Sequence, residues 1–389
     1  MKHYDVVIVG GAIVGSSTAY FLRKNGFKGS IAIIEKDPSY KQACTALSWG
    51  GIRRQFSTPE NIKLSAFGMN IIANLKEEFG SEADIGFRQM GYVVMASAAS
   101  VSVLEDNIKL QNSLGADTQL ISAAELAKRY PFLNTEGIAA AGLGGKGEGW
   151  FDPYQFMNLF RKGAMARNVD FIIGEVTGIQ VSDRVEAVTL ASGDVLQAGA
   201  VVNAAGTNGG AVAAMVGFKL PVSAAKRYAC VVDCPSASAE LHKAPMMFDI
   251  NGFHFRHEGR NFLLACTPSE GEEPPVQDWD MDHAWFEEKI WPLAAARVPA
   301  FEAIKMVGGW VGHYDYNWFD QNGIIGRHPT LPNFYFGNGF SGHGIQQGPA
   351  TGNAISELII HGTYKTINVT ALGVERIAAN TPLFEKNIF

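Results

Sequence analysis

The sequence is poor in cysteine, in net positive charge and in long apolar runs, and each shortage removes a class of protein. Four cysteines among 389 residues, at positions 44, 230, 234 and 266, are too few and too scattered for a disulfide framework. Cys230 and Cys234, in YACVVDCP, read as the end of a strand and not as a zinc knuckle, so no metal is expected and reduced thiols point to a cytoplasmic protein. A formal net charge of -6 leaves no clustered basic surface for nucleic acid, although a local pair of arginines can still recruit a small anion. No apolar run reaches the roughly 18–20 residues that span a bilayer. The chain enters the strand VVIVG directly after Asp5, so neither a transmembrane segment nor a separate signal sequence is expected. Internal repeats and low-complexity tracts are missing as well.

What is present is ordinary for a globular protein: 47 % hydrophobic and 18 % charged residues, in a chain long enough for two domains. Its most informative stretch is the first. Tyr4 to Val9 is a continuous apolar run, the pattern of a strand buried on both faces of a parallel sheet. Gly10, Gly11, Ala12, Ile13, Val14 and Gly15 follow, then a helical run through SSTAYFLRKNG that Gly26 ends. A second buried strand, Ser30 to Ile34, leads to Glu35, 20 residues past Gly15. A tight turn, a helix N-terminus for a pyrophosphate and an acid for ribose hydroxyls make a dinucleotide fingerprint. Ala12 replaces its middle glycine, the smallest possible intrusion. Glu35 in place of an arginine argues against a 2'-phosphate and hence against NADP, and NAD and FAD remain open.

Glycine-terminated strands return twice. AGAVVNAA (198–205) ends at Gly206, and NFYF (333–336) precedes the glycine-rich GFSGHGIQQGPATG and an apolar helix. A nucleotide domain spread this widely suggests a clasp around a long cofactor. In order along the chain, GGIRRQFS, WFDPYQF, VVNAAGTNGG, GGWVGHYDYNWFDQNGIIG and GFSGHGIQQGPATG resemble the D-amino-acid oxidase and sarcosine oxidase family of FAD enzymes over nearly the whole length. YDYNWFDQNG and GFSGHGIQQ are most similar to a mitochondrial branch of that family.

The resemblance implies FAD, with Gly10 to Gly15, Glu35 and Lys36 holding the ADP half. It sets Thr45, Ala46, Ser48 and Gly50 against the pyrophosphate and ribityl chain, Val176 near the adenine, and Ala205 and Gly206 near the phosphates. Gly339, Gly342, His343, Gly344, Ile345 and Gln346 would follow the flavin's pyrimidine edge, where backbone amides stabilise charge on the reduced ring. Sarcosine oxidases bond the flavin to a cysteine; Gly312, His313 and Tyr314 stand there in this chain, which implies noncovalent FAD.

For the substrate, the resemblance implies a small amino acid, most plausibly an N-substituted glycine such as sarcosine, dimethylglycine or iminodiacetate. Hydride would pass from the carbon beside nitrogen to flavin N5, and O2 or an electron carrier would reoxidise the flavin. A D-amino acid, or a role in assembling a respiratory complex, is the alternative. Arg54, with Arg53 as an equal structural candidate, is expected to meet the substrate carboxylate. In NGFHFRHEGRNFLLACT, read as a hairpin, alternation sets Phe253 and Phe255 on one face and His254 and Arg256 on the other. His254 would deprotonate the amine and Arg256 would bind a carboxylate, with Tyr314 as site wall. His343 reads as structural. Gln346 stands where sarcosine oxidases have a carboxylate-binding lysine, and the strand NFLLACT lacks their oxygen-activating lysine.

The expected fold is α/β: a discontinuous Rossmann-like FAD domain from 1–85, 145–220 and 311–389, and a substrate domain from 86–144 and 221–310 built on an antiparallel sheet. HAWFEEKIWPLA, near 283–294, is expected to cover that sheet.

Overall fold

Residues 2–269 and 271–386 are described by a computed structural model; residues 1, 270 and 387–389, which the expected ranges include, lie outside the described residues. The first apolar run becomes the strand Lys2–Val9, and its two faces feed different cores. Val6 and Ile8 join the cluster beneath the helices Ile13–Lys24, Pro153–Met165 and Gly344–His361, while Tyr4, Val7 and Val9 join the one on the opposite side. Burial on both faces is why the run shows no alternation. The strand lies centrally in an eight-stranded sheet of order Ile324–Arg327, Phe334–Asn338, Val195–Asn203, Lys2–Val9, Ile31–Glu35 and Asp170–Ile173. Its pairs are parallel except that between Ile324–Arg327 and Phe334–Asn338. An antiparallel hairpin, Val176–Val181 with Val185–Leu190, extends the sheet from Val195–Asn203.

The late glycine-rich stretch is the start of the helix Gly344–His361, and its small residues serve packing. A Cβ on Gly352 would lie 2.5 Å from backbone atoms of Ser17 and Thr18. The Ser17 hydroxyl donates to the carbonyl oxygen of Gly348 at 2.8 Å. The first and last helices of the nucleotide-type fold therefore touch backbone to backbone.

A second eight-stranded sheet runs Lys305–Asn317, Val222–Asp233, Asn261–Cys266, Phe253–Glu258, Met246–Phe248, Tyr92–Ala96, Ala140–Gly144 and Gln119–Ser122. The strand Lys305–Asn317 crosses the expected boundary at 310/311 and pairs with Val222–Asp233 from Asn317↔Val222 to Lys305↔Asp233. One face of this sheet buries Phe253, Phe255, Phe262 and Leu264 against Phe286, Ile290, Ala294 and Phe301, so the 283–297 segment does cover it. The other face turns toward the first sheet. A short bridge, Gly51–Ile52 with Gly149–Trp150, ties the chain just before Arg53.

Candidate active site

Between the two sheets lies a cavity of about 570 Å³. At one end Gly10, Ala12, Ile13, Val14, Glu35, Lys36 and Val176 form its wall. Gly10 has φ +100°, and a Cβ there would approach the Ala204 carbonyl oxygen to 2.4 Å, so only glycine makes this turn. Glu35 is fixed at the wall because its two oxygens accept from Gly11 N at 2.8 Å and Asp37 N at 2.9 Å. The helix Ile13–Lys24 begins here with no capping side chain, and so does the helix Gly344–His361 at the far end. Two uncapped helix N-termini facing one cavity favour negative charge in it. Thr45, Ser48, Ala205 and Gly206 line the middle, and Gly342, His343, Gly344, Ile345 and Gln346 the far wall. The turn without room for Cβ, the acid beside it and the second helix start fit FAD. Gly11, Gly15, Ala46, Gly50 and Gly339 do not line the cavity; Gly339 N instead donates to an oxygen of Asp315 at 3.0 Å.

The far end carries the reactive candidates, and there the structure separates neighbours in sequence. Arg53 is buried in the cavity wall, its guanidinium 4.6 Å from the ring of Phe56, 5.8 Å from Tyr92 and 5.6 Å from Phe248. No carboxylate forms an ion pair with it among the described residues, and its Nε has no hydrogen-bond partner. Its side-chain polar neighbours include Nε2 of His343 at 3.4 Å and the Tyr92 phenol. Arg54 points out of the cavity: Nη1 donates to Gly115 O at 2.5 Å and Nη2 lies 3.8 Å from Asp117. Backbone alternation across two adjacent residues sends one inward and the other outward.

The 253–258 strand makes a similar division. His254 lines the cavity, stacked 4.9 Å from Phe248 and 5.1 Å from Trp49. Arg256 shares its face but not the cavity: Glu258 pairs with it, Nη2 donates to Trp49 O at 3.1 Å, and Trp150 lies 5.2 Å beneath it. Nδ1 of His254 lies 3.0 Å from the Gly252 carbonyl oxygen, which requires a proton on Nδ1 and leaves the lone pair on Nε2. Burial above all, helped by Arg53 and Arg227, lowers the His254 pKa to about 4. His343 falls to about 3, again by burial and Arg53. Both imidazoles are neutral at physiological pH.

Tyr314 lines the cavity with its phenol pKa raised by burial. The Gln346 amide oxygen accepts from Arg53 N at 2.9 Å and from the Ser65 hydroxyl at 3.3 Å, so this side chain holds the Arg53 backbone. Three residues were not singled out in the sequence. Arg227 enters the cavity wall from the strand Val222–Asp233, Trp279 from the segment after the hairpin, and Asp315 from beneath the Gly339 loop. Strand alternation in KRYACVVD leaves either Lys226 or Arg227 facing inward, so it carried half the signal for Arg227.

A family model described as FAD dependent oxidoreductase, DAO, matches residues 5–358. FAD-dependent oxidoreductase domain-containing protein 1 of Xenopus laevis is 40 % identical over 425 residues, covering 99 % of this chain and 84 % of that protein. Mitochondrial dimethylglycine dehydrogenase of Homo sapiens is 26 % identical over 92 % of this chain, which corresponds to 42 % of its own length. Among solved structures, L-proline dehydrogenase from P. horikoshii superposes with a TM-score of 0.86 at 25 % identity, covering 98 % of this chain and 100 % of that one. Among the described residues no helix is long and apolar enough to cross a membrane. With a matching family model over most of its length, and a cavity built for the cofactor that model names, the chain belongs to the DAO family of FAD-dependent oxidoreductases.

Proposed function

We propose that the protein oxidises the C–N bond of a small amino acid, with an N-substituted glycine as the favoured substrate. The observation that carries this reading is Arg53, a guanidinium buried among three aromatic rings and without a carboxylate in ion-pair contact, since buried Glu148, whose charge reaches it, accepts from Arg54 N and Gln55 instead. Burying a cation without a counterion costs folding stability, and aromatic faces return only part of that cost. A substrate carboxylate completes the site. The relatives' names agree on the class: dimethylglycine and proline both carry an alkylated amine beside a carboxylate-bearing carbon.

Bound FAD supplies a two-electron hydride acceptor. This chain's residues do the rest. Arg53 binds and orients the carboxylate, and Gln346 fixes the Arg53 backbone. The burial and the Arg53 and Arg227 charges that keep His254 neutral likewise favour the substrate amine's unprotonated form, whose lone pair becomes the second bond of C=N as the hydride departs, and the Nε2 lone pair accepts a hydrogen bond where that amine carries an N–H. Tyr314, Phe248 and Trp49 exclude water until the imine is formed; hydrolysis then gives a carbonyl compound and an amine.

FAD is held noncovalently in this reading. The Cys44 thiol lines the cavity, but burial raises its pKa strongly and its Sγ donates to His313 O at 2.9 Å, which makes it a poor nucleophile. A cytoplasmic setting is part of this reading, and the four cysteines without disulfide partners are compatible with any reducing compartment. Either O2 or an electron carrier serves as final acceptor.

Anaerobic mixing of the holoenzyme with sarcosine, dimethylglycine, proline and D-amino acids tests the reading: an N-substituted glycine bleaches the flavin, and admitting air distinguishes oxidase from dehydrogenase. Arg53→Met lowers kcat/KM by roughly 30-fold or more, the equivalent of about 2 kcal/mol, while its melting temperature changes little, because relief of a buried cation is offset by the loss of its attraction for buried Glu148. Unchanged kcat/KM removes Arg53 from the site; a steep fall in melting temperature shows that its role is structural.

A further inference from the structure

Arg227 is the second guanidinium in the cavity wall, and unlike Arg53 it has a carboxylate. Glu273 lies on it in a two-point geometry: Nη1 donates to one carboxylate oxygen at 2.7 Å and Nη2 to the other at 3.0 Å. This is the arrangement a bound carboxylate ligand adopts on an arginine. The Arg227 side chain is 13 % exposed and the Glu273 side chain 31 %, so the pair sits at the rim of the cavity and not in its floor.

Glu273 belongs to segment 271–282, which forms neither helix nor strand. Val276 and Trp279 from this segment line the cavity. Few contacts hold it down. Trp279 stacks on His313 with ring centroids 3.9 Å apart, Asp278 pairs with Lys226, and Glu272 meets Lys289 at 2.8 Å. The Glu272–Lys289 pair is exposed and contributes little to stability, whereas Lys226 and Arg227 are largely buried, so lifting the covering off Arg227 needs a ligand carboxylate in exchange for Glu273.

The two arginines flank the same space. Arg227 lies 5.4 Å from the Tyr314 ring. Arg53 lies 5.6 Å from Phe248, on which His254 stacks. Tyr314 and His254 both feel the charge of both arginines. A ligand with carboxylates at its two ends meets a cation at each, with the neutral imidazole between them.

We propose that Arg227 is a second carboxylate-recognition residue of this cavity and that Glu273 is its resident, displaceable carboxylate, so that segment 271–282 is a lid opened by a dicarboxylic amine. The proposal rests on the amino-acid reading above and adds the substrate's second charge. Discrimination then arises because a dicarboxylate replaces Glu273 on Arg227, whereas a monocarboxylate leaves the lid shut and uses Arg53 alone.

The test uses holoenzyme titrated with two unreactive probes, glutarate and butyrate, followed by the flavin absorbance change and by calorimetry, and reads the ratio of their dissociation constants. Glu273→Gln removes the competing charge and raises the preference for glutarate, by roughly tenfold for the loss of one close charge pair. Arg227→Met brings the ratio to about one. Lys289→Met loosens the same segment without touching Arg227 and leaves the ratio at its wild-type value. An unchanged ratio in Glu273→Gln or in Arg227→Met overturns the proposal, as does an equal rise in Lys289→Met, and as does failure of both probes to bind. Arg53→Met in the same titration judges the earlier reading separately: butyrate binding that ignores this substitution sinks the role of Arg53, while the glutarate ratio still decides that of Arg227.

Discussion

At the scale of single residues, the reactive end of the cavity depends on groups held in an unfavourable state. Asp315 is the clearest. Burial pushes its pKa from the usual 3.8 up to about 6, against the opposing pull of the Phe340 and Gly339 N–H groups that it accepts at 3.2 and 3.0 Å. A folded-state pKa above the unfolded value stabilises the protein only where the group is protonated. That stability is complete below about 4 and is lost as pH rises through about 6. Asp315→Asn keeps an oxygen for the two N–H groups and removes the titration. Urea unfolding of the flavin-free protein should therefore show wild type losing about 3 kcal/mol relative to the variant between pH 4 and pH 7, from a difference of roughly two pKa units. Parallel pH profiles for the two proteins would show that Asp315 is not held above its ordinary range. The residue scale is also where sequence said least. Alternation put His254 and Arg256 on one face correctly, yet it carried no information on Trp49 and Glu258, which keep Arg256 out of the cavity. Likewise RR at 53–54 announced a cation and left its direction open, because direction depends on the Gly51–Ile52 bridge to a strand nearly a hundred residues away.

At the scale of elements, legibility was greater because burial on two faces leaves a plain apolar run. Lys2–Val9, Ile31–Glu35, Val195–Asn203 and the helix after Gly10 were readable for that reason. The strands Asp170–Ile173 and Val176–Val181 were not, being short and half-exposed. The glycine-rich stretch 339–352 reads as a cofactor loop running into an apolar helix, and the glycines of its second half serve a helix–helix contact that the sequence did not announce. Replacing Gly352 by alanine sets two effects against each other. Alanine favours a helix over glycine by about 1 kcal/mol, while the new Cβ meets backbone atoms of Ser17 and Thr18 at 2.5 Å. Backbone cannot rotate aside as a side chain does, so overpacking, typically about 1–3 kcal/mol, prevails. Gly352→Ala should melt at a lower temperature and bind FAD more weakly, since both helices start at the cavity. A variant that melts higher than wild type would show that the two backbones are not in close approach.

At the scale of the whole molecule, the cavity wall is shared: Gly10, Glu35 and Gly344 come from the α/β sheet and its helices, and His254, Arg227 and Tyr314 from the second, which is antiparallel except where Met246–Phe248 pairs with Tyr92–Ala96 in parallel. The chain passes between the sheets repeatedly, and the 305–317 strand leads from the second back toward the 324–327 strand of the first. Sequence motifs announced a discontinuous cofactor clasp, but the pairing of 305–317 along all of 222–233 is a long-range register that no local pattern encodes. A ligand lying across such a wall stabilises both layers together. FAD held noncovalently, as proposed above, would at a hundred times its dissociation constant add about 2.7 kcal/mol to the folded state. Melting followed by far-ultraviolet dichroism and by flavin release should therefore give one coincident transition, and its midpoint should climb with added free FAD. Acid precipitation of the same protein should leave the yellow colour in the supernatant. A midpoint indifferent to free FAD together with a yellow pellet would mean a covalent bond, whereas two transitions, only one of them FAD-dependent, would mean that the sheets fold as separate bodies and that the cofactor is held by the first alone.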